Sequence, residues 1–330
     1  RQLEPRMIPD GEGGVILVWR DERGPDPDIY VQRVTEGGQA TPGWPGDGFP
    51  VCTIPGTQFN PTAAPDGSGG AFIAWQDVRD PSAGPRIYIQ RVLGSGAIAV
   101  GWPSDGRPVS SRSLLQMEPS LLADGSGGVF ACWAEYKTDT DADIRAIRLT
   151  ASGDPSFGWP DSGLAMSAAP EIQDFPTLVP DGMGGAFITW RDYRRGFLAG
   201  TASDVYAQHI SQDGTFDEAW GGDGLFVGSG RDEVSIPSAT QDGRGGLLVG
   251  WITNSLGSPN AFVQRLDRTG ALATGWNLGG VSLGTQSAVS RSPVILGDGS
   301  GGVFAVWADA RGSTGRDIYG QHVTASGSRA

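Results

Sequence analysis

Apolar residues in this chain fall in short blocks at a nearly fixed spacing. One pattern recurs six times: a proline, about five residues, Asp-Gly-x-Gly-Gly, four mostly apolar positions and a tryptophan. The prolines are Pro5, Pro61, Pro119, Pro176, Pro237 and Pro293; the tryptophans are Trp19, Trp75, Trp133, Trp190, Trp251 and Trp307, spaced by 56 to 61 residues. A later segment, Asp28-Ile29-Tyr30-Val31-Gln32-Arg33-Val34, returns as Asp317-Ile318-Tyr319-Gly320-Gln321-His322-Val323. Five repeats carry a second tryptophan, Trp44, Trp102, Trp159, Trp220 and Trp276, so all eleven belong to the pattern and none is left as an isolated ligand platform.

Each period predicts four strands. The first starts at the proline, which has no N–H and suits a sheet edge. Asp-Gly-x-Gly-Gly predicts a hairpin turn, because Asp bonds nearby backbone N–H groups and Gly takes positive φ. The second strand, such as Val15-Ile16-Leu17-Val18-Trp19, is apolar at both parities, so both its faces must be covered. The Ile-Tyr-x-Gln-Arg-Val segment predicts the third strand and Phe49-Pro50-Val51-Cys52-Thr53 the fourth.

Four strands per period, six times over, predict an all-β, six-bladed β-propeller of four antiparallel strands per blade. Residues 1–330 are expected to form one domain, with blades starting near 5, 61, 119, 176, 237 and 293. From Val34 to Pro61 is 27 residues, but only 7 follow Val323. The sixth blade is therefore expected to lack its outer strand.

Composition agrees with short strands and tight turns, with 53 Gly and 23 Pro among 330 residues. The 37 acidic against 24 basic side chains, net -13, exclude nucleic acid as a partner, because phosphate binding needs a dense cationic surface. The chain has no long apolar run, so no membrane insertion is expected. Cys52 and Cys132 form no CxxC pair and read as buried thiols. The start at Arg1 reads as that of a processed or excised segment.

Pro followed by Asp-Gly, a hairpin into an apolar strand, and then Asp-Ile-Tyr resembles the repeat of TolB-type six-bladed propellers. The fuller set of Asp-Gly-x-Gly-Gly, Trp-x-Asp-x-Arg and Asp-Ile-Tyr-x-Gln-Arg is similar to uncharacterised propeller repeats of large secreted bacterial proteins. The match spans essentially the whole chain. It implies a secreted or cell-surface bacterial protein, with other domains of a longer chain as candidate partners. The Gly-Trp-Pro tryptophan departs from the TolB pattern.

Candidate chemistry is sparse. His209 and His322 stand in the column held by Arg33, Arg91, Arg148 and Arg265, two blades apart, and read as structural. Trp-x-Asp-x-Arg places Asp21/Arg23, Asp77/Arg79, Asp192/Arg194 and Asp309/Arg311 on one strand face, with Glu135/Lys137 in the third repeat and Thr253/Ser255 in the fifth. The charges change together, so ion pairing is expected. Asp139, Asp141 and Asp143 alternate like calcium ligands, but Ile144 stands where a calcium loop needs Gly; calcium is a weak expectation, and no other cofactor is expected. The Asp-Gly-x-Gly-Gly turns lead into strands without a Lys, unlike phosphate loops.

The turn between strands one and two keeps its length, whereas the two-to-three and four-to-one connections vary. Variable loops on one end of a rigid frame are where binding concentrates. Phe59, Glu135, Tyr136, Phe175, Asp192, Tyr193, Arg194 and Phe197 gather there, offering stacking faces beside charge for a carbohydrate or protein ligand. Gln2, Gln58, Gln116 and Gln173, each three residues before a proline, are expected to bond backbone. The leading expectation is a non-catalytic extracellular binding module. A structural unit of a larger surface assembly stays open, as does a glycoside hydrolase or lyase using Glu118 and Asp174 as its carboxylate pair.

Overall fold

The structure, a computed structural model, describes residues 1–195, 203–229, 234–255, 258–284, 292–310 and 315–330. They form six antiparallel sheets in the blade pattern of a six-bladed β-propeller. Sheet one comprises β1 (Gln2–Pro9), β2 (Val15–Asp21), β3 (Asp28–Val34) and β4 (Phe49–Cys52). Sheet two comprises β5 (Gln58–Pro65), β6 (Ala71–Asp77), β7 (Arg86–Val92) and β8 (Arg107–Pro108). Sheet three comprises β9 (Leu115–Ala123), β10 (Val129–Thr138), β11 (Asp141–Leu149) and β12 (Leu164–Ser167). Sheet four comprises β13 (Gln173–Pro180), β14 (Ala186–Asp192), β15 (Asp204–Ile210) and β16 (Leu225–Ser229). Sheet five comprises β17 (Ser238–Gln241), β18 (Leu247–Ser255), β19 (Ser258–Leu266) and β20 (Val281–Ser282). Sheet six has three strands, β21 (Val294–Gly297), β22 (Val303–Asp309) and β23 (Asp317–Val323). The chain divides into two compact units, residues 1–139 with 145–165, and residues 140–144 with 166–330. No helix among the described residues is long and apolar enough to cross a membrane.

Every element of the repeat has a physical task. In the first turn Asp10 Oδ1 accepts from the backbone N–H of Glu12 and of Gly14, both at 2.8 Å, while its Oδ2 pairs with Arg33 at 2.9 Å. Asp66 with Arg91, Asp124 with Arg148 and Asp242 with Arg265 repeat the arrangement at 2.9, 2.6 and 2.7 Å. His209 meets Asp181 at 3.0 Å and His322 meets Asp298 at 2.9 Å, so both histidines do an arginine's work. The last glycine of the turn is needed for space. A Cβ on Gly70 would lie 2.3 Å from Val92 O.

The strand-two tryptophan donates its indole N–H to the Asp two residues on, at 2.8 Å for Trp19, 2.7 Å for Trp75 and 2.8 Å for Trp190. The matching Arg pairs with that Asp and lies over the ring of a strand-three tyrosine, as Arg79 does 3.6 Å from the Tyr88 centroid. Arg23, followed by the Trp19 indole, holds the Asp21 carboxyl far below the ordinary carboxylate range. Where the Asp is replaced the indole loses its acceptor: Trp133 Nε1 and Trp251 Nε1 are buried without a partner.

The second tryptophan ties one sheet to the next. Trp44 Nε1 donates to Gly94 O at 3.0 Å and Trp102 Nε1 to Ala151 O at 3.1 Å in the first unit; Trp220 reaches Arg268 O at 3.2 Å and Trp276 reaches Ala325 O at 3.0 Å in the second. The cores lie between consecutive sheets. Ile16, Val18, Val31 and Cys52 pack with Ile73 and Trp75, while Phe187 and Val205 pack with Val249 and Trp251. Cys52 and Cys132 are buried free thiols, and burial pushes the Cys52 thiol up to about 12.

The first strands do not begin at proline as expected. In sheets one to four they begin at Gln2, Gln58, Leu115 and Gln173, and the proline sits inside the strand. A bulge made of each proline and the residue before it accounts for this, because it releases the chain from the ladder at the position that cannot donate. In sheets five and six pairing starts only after the proline, at Ser238 and Val294.

Candidate functional site

The residue before the proline is the one these bulges re-aim. Glu4, Asn60, Glu118 and Phe175 occupy that place in sheets one to four, with φ of 55°, 50°, 59° and 52°. None is glycine, and a residue before proline is driven away from compact backbone conformations by the proline ring. Holding such a residue in the left-handed region costs about 1–3 kcal/mol. The same strain at four equivalent places, in residues of unlike chemistry, marks where the frame is made to present side chains.

In the first unit three of these residues join one polar network. Asn60 donates its backbone N–H to Glu4 Oε2 at 2.6 Å and its side-chain amide to Gln76 Oε1 at 2.8 Å. Gln76 Oε1 also accepts the backbone N–H of Glu118 at 3.1 Å. Arg20 lies 3.4 Å from Glu4 and 3.4 Å from Glu22. Arg20 and Gln76 each follow their strand-two tryptophan. The pairings Gln2 with Asp21 and Gln58 with Asp77 put the start of strand one beside the end of strand two, so the network sits at the variable-loop end of the sheets.

Two features make this network fit for a ligand. Gln76 is 1% exposed, yet its Nε2 has no hydrogen-bond partner, and the Arg20 Nε is likewise buried and unpaired. Buried donors without acceptors are expensive. Glu4, Asn60 and Glu118 remain partly exposed. The network thus joins the Glu4 carboxylate and the Glu118 backbone N–H to a rigid buried amide with a bond to spare. Gln58 supports it from below, donating to Ile54 O and Gly56 O at 3.3 and 3.1 Å, as Gln173 does to Pro170 O and Glu171 O in the second unit.

The residues singled out in the sequence divide sharply. Glu118 joins the network, and Phe59 lies beside it, partly buried and paired across the ladder with Gln76. Glu135 is fully buried between Arg112 and Arg145, at 2.5 and 2.7 Å, so its carboxylate serves the frame. Asp192 and Arg194 form the second unit's copy of the Trp-Asp-Arg clamp, with Arg194 2.6 Å from Asp192 and 3.9 Å from the Tyr206 centroid. Asp174 is 5% exposed and accepts from Arg191 Nε and Nη2 at 2.8 and 2.7 Å, a bidentate pair that engages both of its oxygens. Arg191 also stands 4.8 Å from the Phe175 ring and 5.1 Å from the Tyr193 ring, making an aromatic–cation cluster of its own. Tyr136 is partly buried near the end of β10. Phe197 and Arg311 lie outside the described residues.

Asp139 is exposed in the β10–β11 turn and Asp143 is buried on β11. Among the described residues no three carboxylate, imidazole or thiol groups converge on one point. The signal for Glu4, Asn60 and Gln76 was present as a column, the residue before each proline and the residue after each tryptophan. Its variable content hid it.

No family model matches the chain, and no curated protein matches it. Among solved structures, the Hadza microbial sialidase Hz136 aligns with 93% of this chain and 63% of its own, at 12% identity and a TM-score of 0.53. The PQQ-bound aldose sugar dehydrogenase of Streptomyces coelicolor aligns over 96% and 93%, at 13% identity and 0.49. The polysaccharide lyase Uly1 aligns over 97% and 89%, at 10% identity and 0.46. The chain spans less than two thirds of the sialidase's length. The sialidase likeness shows the propeller fold. The expectation of a non-catalytic binding module is corrected here, because the sialidase that shares the fold is an enzyme.

Proposed function

We propose that this protein is a glycoside hydrolase acting on a neutral glycan at the loop end of its first unit. The observation that carries this reading is the strained backbone that turns Glu4 and Glu118 into one network with Asn60 between them. Glycosidic cleavage needs one carboxyl to protonate the leaving oxygen and a second to act as nucleophile or base. Glu118 is assigned the first role and Glu4, beside Arg20, the second. Asn60 and Gln76 are suited to hold sugar hydroxyls, because an amide offers both donor and acceptor, and Phe59 supplies an adjoining apolar face.

Two carboxylates, Glu4 and Glu22, flank Arg20 at 3.4 Å each, a local excess of negative charge that disfavours an anionic substrate. Elimination by a lyase depends on a uronate, so hydrolysis is the better fit. Carbohydrate reactions among the structural neighbours agree with this choice of substrate class. The resemblance to repeats of large secreted bacterial proteins supports an extracellular setting, where polymeric glycans are met.

The test is a screen of neutral polysaccharides for reducing-end release, with ultraviolet absorbance of unsaturated ends followed in parallel. Hydrolysis that falls about 10²–10⁴-fold in Glu118→Gln supports the assignment. Unsaturated products, or activity unchanged by that substitution, would overturn it.

A further inference from the structure

The Asp-Gly-x-Gly-Gly turn leaves one position free to vary, and its content decides what the arginine beside the turn can meet. In sheets one to six that position holds Glu12, Ser68, Ser126, Met183, Arg244 and Ser300. In sheet one the arrangement is closed. Arg33 Nε donates to Asp10 Oδ2 at 2.9 Å, and Arg33 Nη2 donates to Glu12 Oε2 at 2.7 Å. One guanidinium thus carries two carboxylates, the second of them supplied by the variable position.

Sheet five keeps the first half of this arrangement and reverses the second. Arg265 is 8% exposed and firmly held. Its Nε donates to Asp242 Oδ2 at 2.8 Å, its Nη2 lies 2.7 Å from the same oxygen, and its Nη1 donates to Ala325 O at 3.3 Å. Gly301 of sheet six lies against it so closely that a Cβ there would stand 2.7 Å from the guanidinium carbon. The variable position, however, is Arg244, which is exposed and meets no carboxylate among the described residues. Arg265 therefore lacks the acid that completes Arg33, and the position that should supply it brings a second positive charge.

Both arginines line one cavity of about 430 Å³, a volume suited to a small molecule. Leu272, 37% exposed, gives it an apolar wall, and Thr274 and Ser326 also line it. Asp267 lines it too, with Oδ1 accepting from the Thr269 N–H, the Thr269 hydroxyl and the Ala271 N–H at 2.8, 2.7 and 3.1 Å. That fixed negative charge disfavours a ligand with more than one of its own. Every lining residue belongs to the second unit, and none belongs to the network of Glu4, Asn60 and Glu118 in the first.

We infer that this cavity binds a small monocarboxylate with a short apolar tail. Its carboxylate takes on Arg265 the place that Glu12 takes on Arg33, Arg244 supplies the second cation, and the tail lies against Leu272. Guanidinium donors suit this ligand because their planar fork matches the two oxygens of a carboxylate. The site is specified by the chain's own first sheet, where the same contact is made internally.

The experiment is isothermal titration calorimetry on the full chain at constant ionic strength, with sodium isovalerate as the probe and isovaleramide and sodium sulfate as comparisons. Wild type, Arg244→Gln and Arg244→Glu are titrated, and circular dichroism with thermal melting verifies folding. Isovalerate should bind the wild type saturably, at one site, with a Kd of about 1 mM. Isovaleramide, which lacks the charge, and sulfate, which carries two, should each bind at least about 10-fold more weakly, as should isovalerate to Arg244→Gln. Arg244→Glu rebuilds the sheet-one pair on Arg265, so it should abolish binding without lowering the melting temperature. Absence of saturable binding to the wild type would overturn the inference. So would equal affinity for isovaleramide or sulfate, or isovalerate binding unchanged in either Arg244 variant.

Discussion

Replacing Glu118 by glycine separates what this position does for the fold from what it does for chemistry. Its φ of 59° lies in the left-handed region, directly before Pro119. A non-glycine residue held there stores about 1–3 kcal/mol. Glycine releases that strain and gives back about 0.5–1 kcal/mol through the greater freedom of its unfolded backbone. The expected net effect is a stabilisation of about 1 kcal/mol. With a urea slope of about 3 kcal/mol/M, the unfolding midpoint rises by about 0.3 M. The same variant has no carboxyl, so glycan hydrolysis should fall at least about 10²-fold. Urea unfolding and reducing-end release measured on one preparation check both halves. A glycine variant less stable than the wild type would refute the strain reasoning, and one with undiminished hydrolysis would refute the role of the carboxyl.

Asp28 tests burial of charge. Burial first, then Asp26 and Asp21, raises its carboxyl to about 6. The folded state therefore binds a proton more readily than the unfolded one, and stability contributed by the neutral form is present below about pH 4 and lost as pH rises through about 6. Asp28→Asn should raise the melting temperature at pH 8 and lose that advantage below about pH 4; a gain independent of pH would contradict the assignment. Gly70→Ala places a Cβ 2.3 Å from Val92 O and 2.9 Å from Asp66 Oδ2. It should lower stability by about 2–3 kcal/mol in urea unfolding, and a change within about 0.5 kcal/mol would show that the turn can give way.

The parts of the fold that could be read from sequence are those that repeat with the same residue. Asp10, Arg33 and their equivalents keep their identities because one hydrogen-bond geometry admits few alternatives, and His209 revealed its role by standing in an arginine's place. The bulges were not legible. A left-handed residue is usually betrayed by Gly or Asn, but here Glu4, Glu118 and Phe175 fill the position before proline, where an extended backbone is the default. The Asp192–Arg194 pair follows the Trp-x-Asp-x-Arg spacing, whereas the partners of Glu135, Arg112 and Arg145, stand at no repeating distance from it along the chain.

The indole bonds that run from Trp44 to Gly94 and from Trp102 to Ala151 all point the same way along the chain. Through these indoles sheet one leans on sheet two, and sheet two on sheet three. Damage should propagate with a direction: loosening the Ala151 turn frees Trp102 and then weakens the platform beneath Trp44, whereas fraying at the amino-terminal sheet leaves the later ones latched. Amide exchange along this unit is expected to form a gradient, slowest where the last latch is set.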